Sequence, residues 1–132
     1  MKILIISPNT YPLQSPRAFR TAELSEQLVK MGHEVLVYSV QGGFDYKEYQ
    51  ITTGVKVMPI PHVASLRGND GSYRYTLIDR FFFHFFKRLL VYPEIEFMYR
   101  VPKIVRDNPG FDLLITVAYP HTIHSGAAMA KK

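Results

Sequence analysis

Two short stretches carry the side chains suited to chemistry. The first is Pro8-Asn9-Thr10-Tyr11-Pro12-Leu13-Gln14-Ser15, followed by Arg17 and Arg20; the second is Tyr119-Pro120-His121-Thr122, followed by His124. Two guanidinium groups beside an amide and a phenol form a set for anions or hydroxyls, because the planar fork of arginine matches phosphate and carboxylate. An imidazole titrates near neutrality, so His121 is suited to act as a general base or to bind a hydroxyl or a phosphate. Plainer roles compete: the arginines as solvated surface, Tyr11 and Tyr119 as padding. His121 and His124 share a spacing used by metal ligands, but no third ligand accompanies them and no metal is expected. A P-loop, a nucleophile elbow, an HExxH zinc motif and a cysteine nucleophile are all missing from the sequence. No paired carboxylates stand at a strand end as a glycosidase would need.

The elements that must position these residues are legible from periodicity. Met1 to Ser7 contains the apolar run Ile3-Leu4-Ile5-Ile6, the mark of a strand buried on both faces of a parallel sheet. Pro16 to Met31 reads as a helix, with Ser15 as its cap, Pro16 at its first position and Gly32 as its left-handed stop. On a helical wheel Ala18, Ala22, Leu24, Leu28, Val29 and Met31 form the expected buried face, and Phe19 falls on the polar side. Val35 to Val40 is a second strand, left through Gln41-Gly42-Gly43. Val55 to Ile60 is a third, and Pro59 and Pro61 mark it as an edge or a strand end. A loop follows from His62 to Tyr73.

Tyr75 to Tyr92 is expected to form a helix apolar nearly all round, with Phe81, Phe82, Phe83, Phe85 and Phe86 about His84. Its narrow polar stripe includes Arg80, Lys87 and Arg88. Burial under a partner domain is one reading; contact of those three cations with an anionic membrane is the other. Glu94 to Asp107 continues as a helix that Pro102 should kink or split. Asn108-Pro109-Gly110 turns the chain into a fourth buried strand, Asp112 to Val117, and Thr122 to Lys132 is a last helix. The order β-α-β, β, helical crossover, β-α with right-handed connections gives an α/β, Rossmann-like doubly wound parallel sheet of strand order 3-2-1-4.

In such sheets ligands bind beyond the carboxyl ends of the strands, where the order reverses. That point lies between the first and fourth strands, so Asn9, Tyr11, Tyr119 and His121 should converge there, with His124 a further candidate. The unpaired N–H groups at the first helix start should add positive potential beside Arg17 and Arg20. The first turn contains no glycine, although a dinucleotide-binding fold places its glycine fingerprint there.

Composition sets the bounds. The 132 residues make one domain, large enough to bury a core. With 16 basic and 11 acidic residues the net charge is +5, which favours anionic partners. The lack of cysteine fits a reducing compartment. The run Ile3 to Ile6 is too short for a signal peptide, and no stretch reaches the ~18 apolar residues of a membrane span. The chain stops in a helix where a doubly wound sheet ordinarily continues, so it reads as part of a longer protein.

The run SPRAFRTAELSEQLVKMGHEVLVYSV, with YPHTIHSGAAMAKK after DLLITV, resembles the N-terminal half of GT-B glycosyltransferases. More narrowly, it is similar to the retaining family-4 ("group 1") enzymes of bacterial polysaccharide synthesis. The shared pattern is a Tyr-Pro loop, a helix ending in GHEV, and a later Pro-His-Thr turn opening a helix. The resemblance implies two Rossmann-like domains facing across a cleft, with residues 1–132 as the acceptor-side domain and a separate domain for the nucleotide sugar. It places Arg17, the loop from Pro12 to Ser15 with Gln14, and Pro120-His121-Thr122 at that cleft. Relatives often carry a Gly-Gly pair where Gln14-Ser15 stands. Implied partners are a nucleotide-sugar donor, held by the other domain, and a glycan or lipid-linked acceptor. No redox cofactor and no nucleic acid are implied. A cytoplasmic location, peripheral on the inner face of the plasma membrane, follows from the same resemblance. The alternatives are a non-catalytic module binding anionic lipid or polysaccharide, and half of a sugar-nucleotide epimerase.

Overall fold

The computed structural model describes residues 1–40, 44–60, 95–117 and 121–130. The expected Phe-rich helix with Arg80, Lys87 and Arg88, the loop after His62, and Tyr119 lie outside the described residues. Four strands form one parallel sheet: β1 (Lys2–Ile6), β2 (Glu34–Ser39), β3 (Lys56–Pro59) and β4 (Leu113–Thr116). Their order is β3-β2-β1-β4, the doubly wound order read from the sequence. The helices are α1 (Pro16–Lys30), α2 (Lys47–Thr53), α3 (Ile95–Asp107) and α4 (Thr122–Ala130).

Alternation along β1 divides its side chains between two cores. Ile3 and Ile5 join Val35, Val37, Val55 and Val57 under α1 and α2, where Tyr46, Tyr49, Leu28 and Val29 close the layer. Leu4 and Ile6 face the other way, into a core with Phe97, Val101 and Ile104 of α3 and Ile123 of α4. Successive side chains point to opposite faces of a strand, so a run of four apolar residues is what a doubly covered strand requires. Burying each such side chain contributes roughly 1.5–3 kcal/mol relative to leaving it exposed. Among the described strands β3 stands at the sheet edge, where Pro59 is tolerated.

The helix signals act where expected. Ser15 Oγ accepts from the Ala18 amide and Pro16 occupies the first turn. Gly32, at φ 85°, supplies the left-handed residue that ends α1. Pro102 lies inside α3, which continues through it as one helix.

Two expectations fail. The buried face of α1 is Ala18, Thr21 and Ser25, while Leu24 and Met31 are exposed, at 38% and 70%. The inward stripe therefore runs through positions 18, 21, 22, 25, 28 and 29. Small side chains line its N-terminal part, and Ser25 Oγ donates back to the Thr21 and Ala22 carbonyls. Counting apolar residues alone rotated the predicted face toward Leu24. Secondly, a seven-residue helix, α2, lies between β2 and β3, where no element was read. Its residues Ile51, Thr52 and Thr53 are poor helix formers. Packing of Tyr46 and Tyr49 into the core and the left-handed stop at Gly54 hold it.

Candidate functional site at the carboxyl edge of the sheet

The β1–α1 connection is braced from within. The Ser7 amide donates to the Tyr38 carbonyl (3.0 Å), extending the β1–β2 ladder by one residue. Ser7 Oγ, fully buried, donates to the Asn9 carbonyl (2.7 Å) and lies 2.9 Å from Thr21 Oγ1 of α1. Thr21 Oγ1 in turn reaches the Arg17 carbonyl (3.0 Å), and Ser39 Oγ reaches the Pro8 carbonyl (3.3 Å). Further along, the Leu13 amide donates to Thr10 and the Ser15 amide to Leu13. The hydroxyls of Ser7, just after β1, and Ser39 of β2 thus satisfy loop carbonyls, Thr21 of α1 lies against Ser7, and the loop holds its shape without glycine. The Tyr11–Pro12 peptide bond is cis. Thr10 Oγ1 is buried with no hydrogen-bond partner.

The start of α1 differs from the expected anion nest. Pro16 has no N–H, the Ala18 amide is taken by Ser15 Oγ (3.2 Å), and the Phe19 amide by the Ser15 carbonyl (3.0 Å). Capping uses the donors that an anion would need. Positive potential there comes chiefly from the exposed side chains of Arg17 and Arg20.

Of the predicted site residues, Asn9, Tyr11, Gln14, Ser15, Arg17 and Arg20 share the β1–α1 loop and the first turns of α1. His121 and Thr122 head α4, directly beyond β4. β1 and β4 are adjacent and parallel, so both groups leave the same edge of the sheet. They diverge from there. Tyr11 stacks on Tyr49 of α2 (centroids 4.7 Å, 10° between planes), on the α1/α2 side, whereas α4 packs on the opposite face through Ile123. Asn9 is half-buried and contributes its carbonyl to the brace; Ser15 is committed as the cap. Gln14 and His121 are exposed, and Thr122 is half-buried.

Sequence reasoning missed the Ser7–Thr21 pair, Tyr49 and Thr116. The first was signalled by Thr21 and Ser25 at i and i+4, continuing the small-residue spacing of Ala18 and Ala22. Thr116 Oγ1 lies 2.6 Å from His124 Nδ1 and ties the end of β4 to the first turn of α4. Among the described residues, no group of three or more His, Asp or Glu side chains is placed to hold a metal ion. Nor is any described helix long and apolar enough to cross a membrane.

Tyr49 carries the only strongly displaced ionisation at this end among the described residues. Its hydroxyl donates to Glu26 Oε1 (3.1 Å), and its pKa is pushed up to about 12, first by burial and then by the Glu26 charge and hydrogen bond. The folded chain holds that proton at a pH where the unfolded chain, with an ordinary value of 10.0, has released it. The resulting stability is complete below pH 10 and is lost as pH rises toward 12. In Tyr49→Phe this loss between the two values should disappear, and stability at pH 7 should fall by about 1 kcal/mol. Urea unfolding at pH 7 and across the alkaline range checks both.

A pocket of about 140 Å³ opens at the opposite, amino-terminal edge, lined by Lys2, Glu34, Leu36, Asn108 and Phe111. Its polar groups are committed to the fold. Lys56 and Lys2 flank Glu34 at 3.1 and 3.9 Å and hold its carboxyl below the usual range, Lys56 foremost. Asn108 Nδ2 donates to Tyr38 Oη and to the Ile104 carbonyl. The carboxyl edge, with its arginines and imidazoles, is the better candidate for chemistry. Comparison with protein-family models, with curated proteins and with solved structures finds no match to this chain.

Proposed function

We propose that the chain is the acceptor-binding part of a GT-B glycosyltransferase of the retaining family-4 type. The whole enzyme would move a sugar from a nucleotide-sugar donor to a glycan or lipid-linked acceptor, peripherally on the cytoplasmic face of a membrane. The resemblance of the GHEV helix and the Pro-His-Thr turn supports this, as does the reversal of strand order between β1 and β4. The observation that carries it is the start of α1, where Pro16 has no N–H and the Ala18 and Phe19 amides are already bonded to Ser15. A helix start with those donors taken does not cradle a pyrophosphate, so the donor diphosphate belongs to another wall of the cleft.

In this division of labour Arg17, Arg20, His121 and Thr122 bind and orient the acceptor. The rate comes from holding its hydroxyl against the donor carbon and from stabilising the departing diphosphate. The test is calorimetric titration of this chain with a lipid-linked sugar analogue, UDP and GDP. The acceptor analogue should bind, and Arg17→Ala with Arg20→Ala should weaken it by about tenfold, as loss of charge-assisted hydrogen bonds requires. Micromolar binding of UDP or GDP, unaffected by those substitutions, would overturn the reading.

A further inference from the structure

We infer that His124, oriented by Thr116, contacts phosphate at the carboxyl edge of β4 and shares that ligand with His121. The inference rests on the acceptor-side reading and deepens it, naming the phosphate of a lipid-linked acceptor as what this edge recognises. Four observations carry it. The Thr116 Oγ1–His124 Nδ1 contact, at 2.6 Å, spans the β4–α4 connection, because Thr116 ends the strand and His124 lies in the first turn of the helix. His124 is half-buried, and its other ring nitrogen, Nε2, has no hydrogen-bond partner among the described residues. The ring of His121, exposed, lies 6.5 Å from that of His124, centroid to centroid. Finally, the chain carries a net charge of +5, with Arg17 and Arg20 in the first turns of α1, the helix that follows the neighbouring strand β1.

A hydroxyl holding one imidazole nitrogen fixes the ring orientation and leaves the second nitrogen for a ligand. His124 is held at one nitrogen, at the end of β4 beside the point where strand order reverses. Two imidazoles at this separation can each reach a different oxygen of one tetrahedral anion. The net charge of +5 favours a phosphate over a neutral polyol. Thr116 is therefore a positioning residue, acting through His124.

The experiment uses the chain labelled with ¹⁵N in its histidines and follows ring nitrogens by long-range ¹H–¹⁵N correlation. Inorganic pyrophosphate, geranyl phosphate and UDP are titrated separately. Pyrophosphate and geranyl phosphate should move the Nε2 resonances of His124 and His121 saturably, with UDP the weakest of the three. His124→Gln should weaken geranyl phosphate by about tenfold, the usual cost of one charge-assisted contact. Thr116→Val should mix the His124 tautomers and weaken binding several-fold, and Thr116→Ser should restore both, an outcome that a merely structural hydroxyl would not produce. Should Thr116→Val unfold, His124→Gln, which leaves β4 intact, decides the question. Unmoved His124 resonances with every probe, or unchanged affinity in His124→Gln, would overturn the site. UDP binding tightest through His124 would overturn the lipid-phosphate assignment. A phosphorylated, lipid-linked acceptor that binds the parent chain and His124→Gln equally would leave the acceptor-side reading standing while this inference fell.

Discussion

Ile5→Ala is expected to lower the unfolding free energy by about 2–5 kcal/mol, the range for deleting a fully buried branched side chain. Ile5 has no exposed surface and sits in β1, flanked in register by Val37 of β2 and Ile115 of β4. Removing three carbons there leaves a void in the layer beneath α1 and α2, and the flanking strands cannot close it without breaking ladder hydrogen bonds. Against a total stability of about 5–15 kcal/mol, this is enough to unfold a substantial fraction of the chain under mild denaturation. The control is Ile51→Ala on α2. Ile51 is 86% exposed, and its replacement should stay within about 0.5 kcal/mol of the parent. Urea midpoints with unchanged m-values measure both. A shift for Ile5→Ala no larger than the control's would show that β1 is not the centre of the sheet.

What made β1 predictable also explains where reading the sequence stopped short. The run Ile3 to Ile6 was legible because a strand covered on both faces needs consecutive apolar residues, and a run this short, closed by Ser7-Pro8, suits a strand better than a helix. The ends of α1 were equally plain, since Ser15, Pro16 and Gly32 each act through local backbone chemistry. Its rotation was not, because its inward face is lined by Ala18, Thr21 and Ser25, and a hydrophobicity count is blind to hydroxyls that bond their own helix. Helix α2 lacked local propensity and is held by the burial of Tyr46 and Tyr49, a tertiary cause that periodicity over seven residues does not carry. At the site, topology and right-handed crossovers were enough to bring the two connections to one edge. The turning of Tyr11 onto Tyr49, and the grip of Thr116 on His124, depend on pairs of residues that no local pattern links.

The same distinction governs Gly126, whose importance is written in no turn or cap. Glycine in a helix interior ordinarily costs about 0.5–1 kcal/mol relative to alanine, so Gly126→Ala would stabilise an isolated α4. In the folded chain the sign should invert, with a net destabilisation of about 1–3 kcal/mol from overpacking. A Cβ at Gly126 would lie 2.9 Å from Val101 Cβ, 3.0 Å from the Phe97 carbonyl oxygen and 3.1 Å from that of Met98. Two of those atoms are the backbone of α3 and the third is fixed to it, so no side-chain rotation makes room. Val101→Ala does not rescue the variant, because the offending Cβ remains. Relief requires α4 to move away from α3, and α4 carries His124 in its first turn. The displacement should therefore reach the Thr116–His124 hydrogen bond and loosen the imidazole before the chain unfolds. Urea unfolding gives the stability loss, and the His124 tautomer ratio gives the displacement. A stabilised Gly126→Ala with an unperturbed His124 ring would mean that α3 and α4 are not in close contact at this point, and that the carboxyl edge is held by β4 alone.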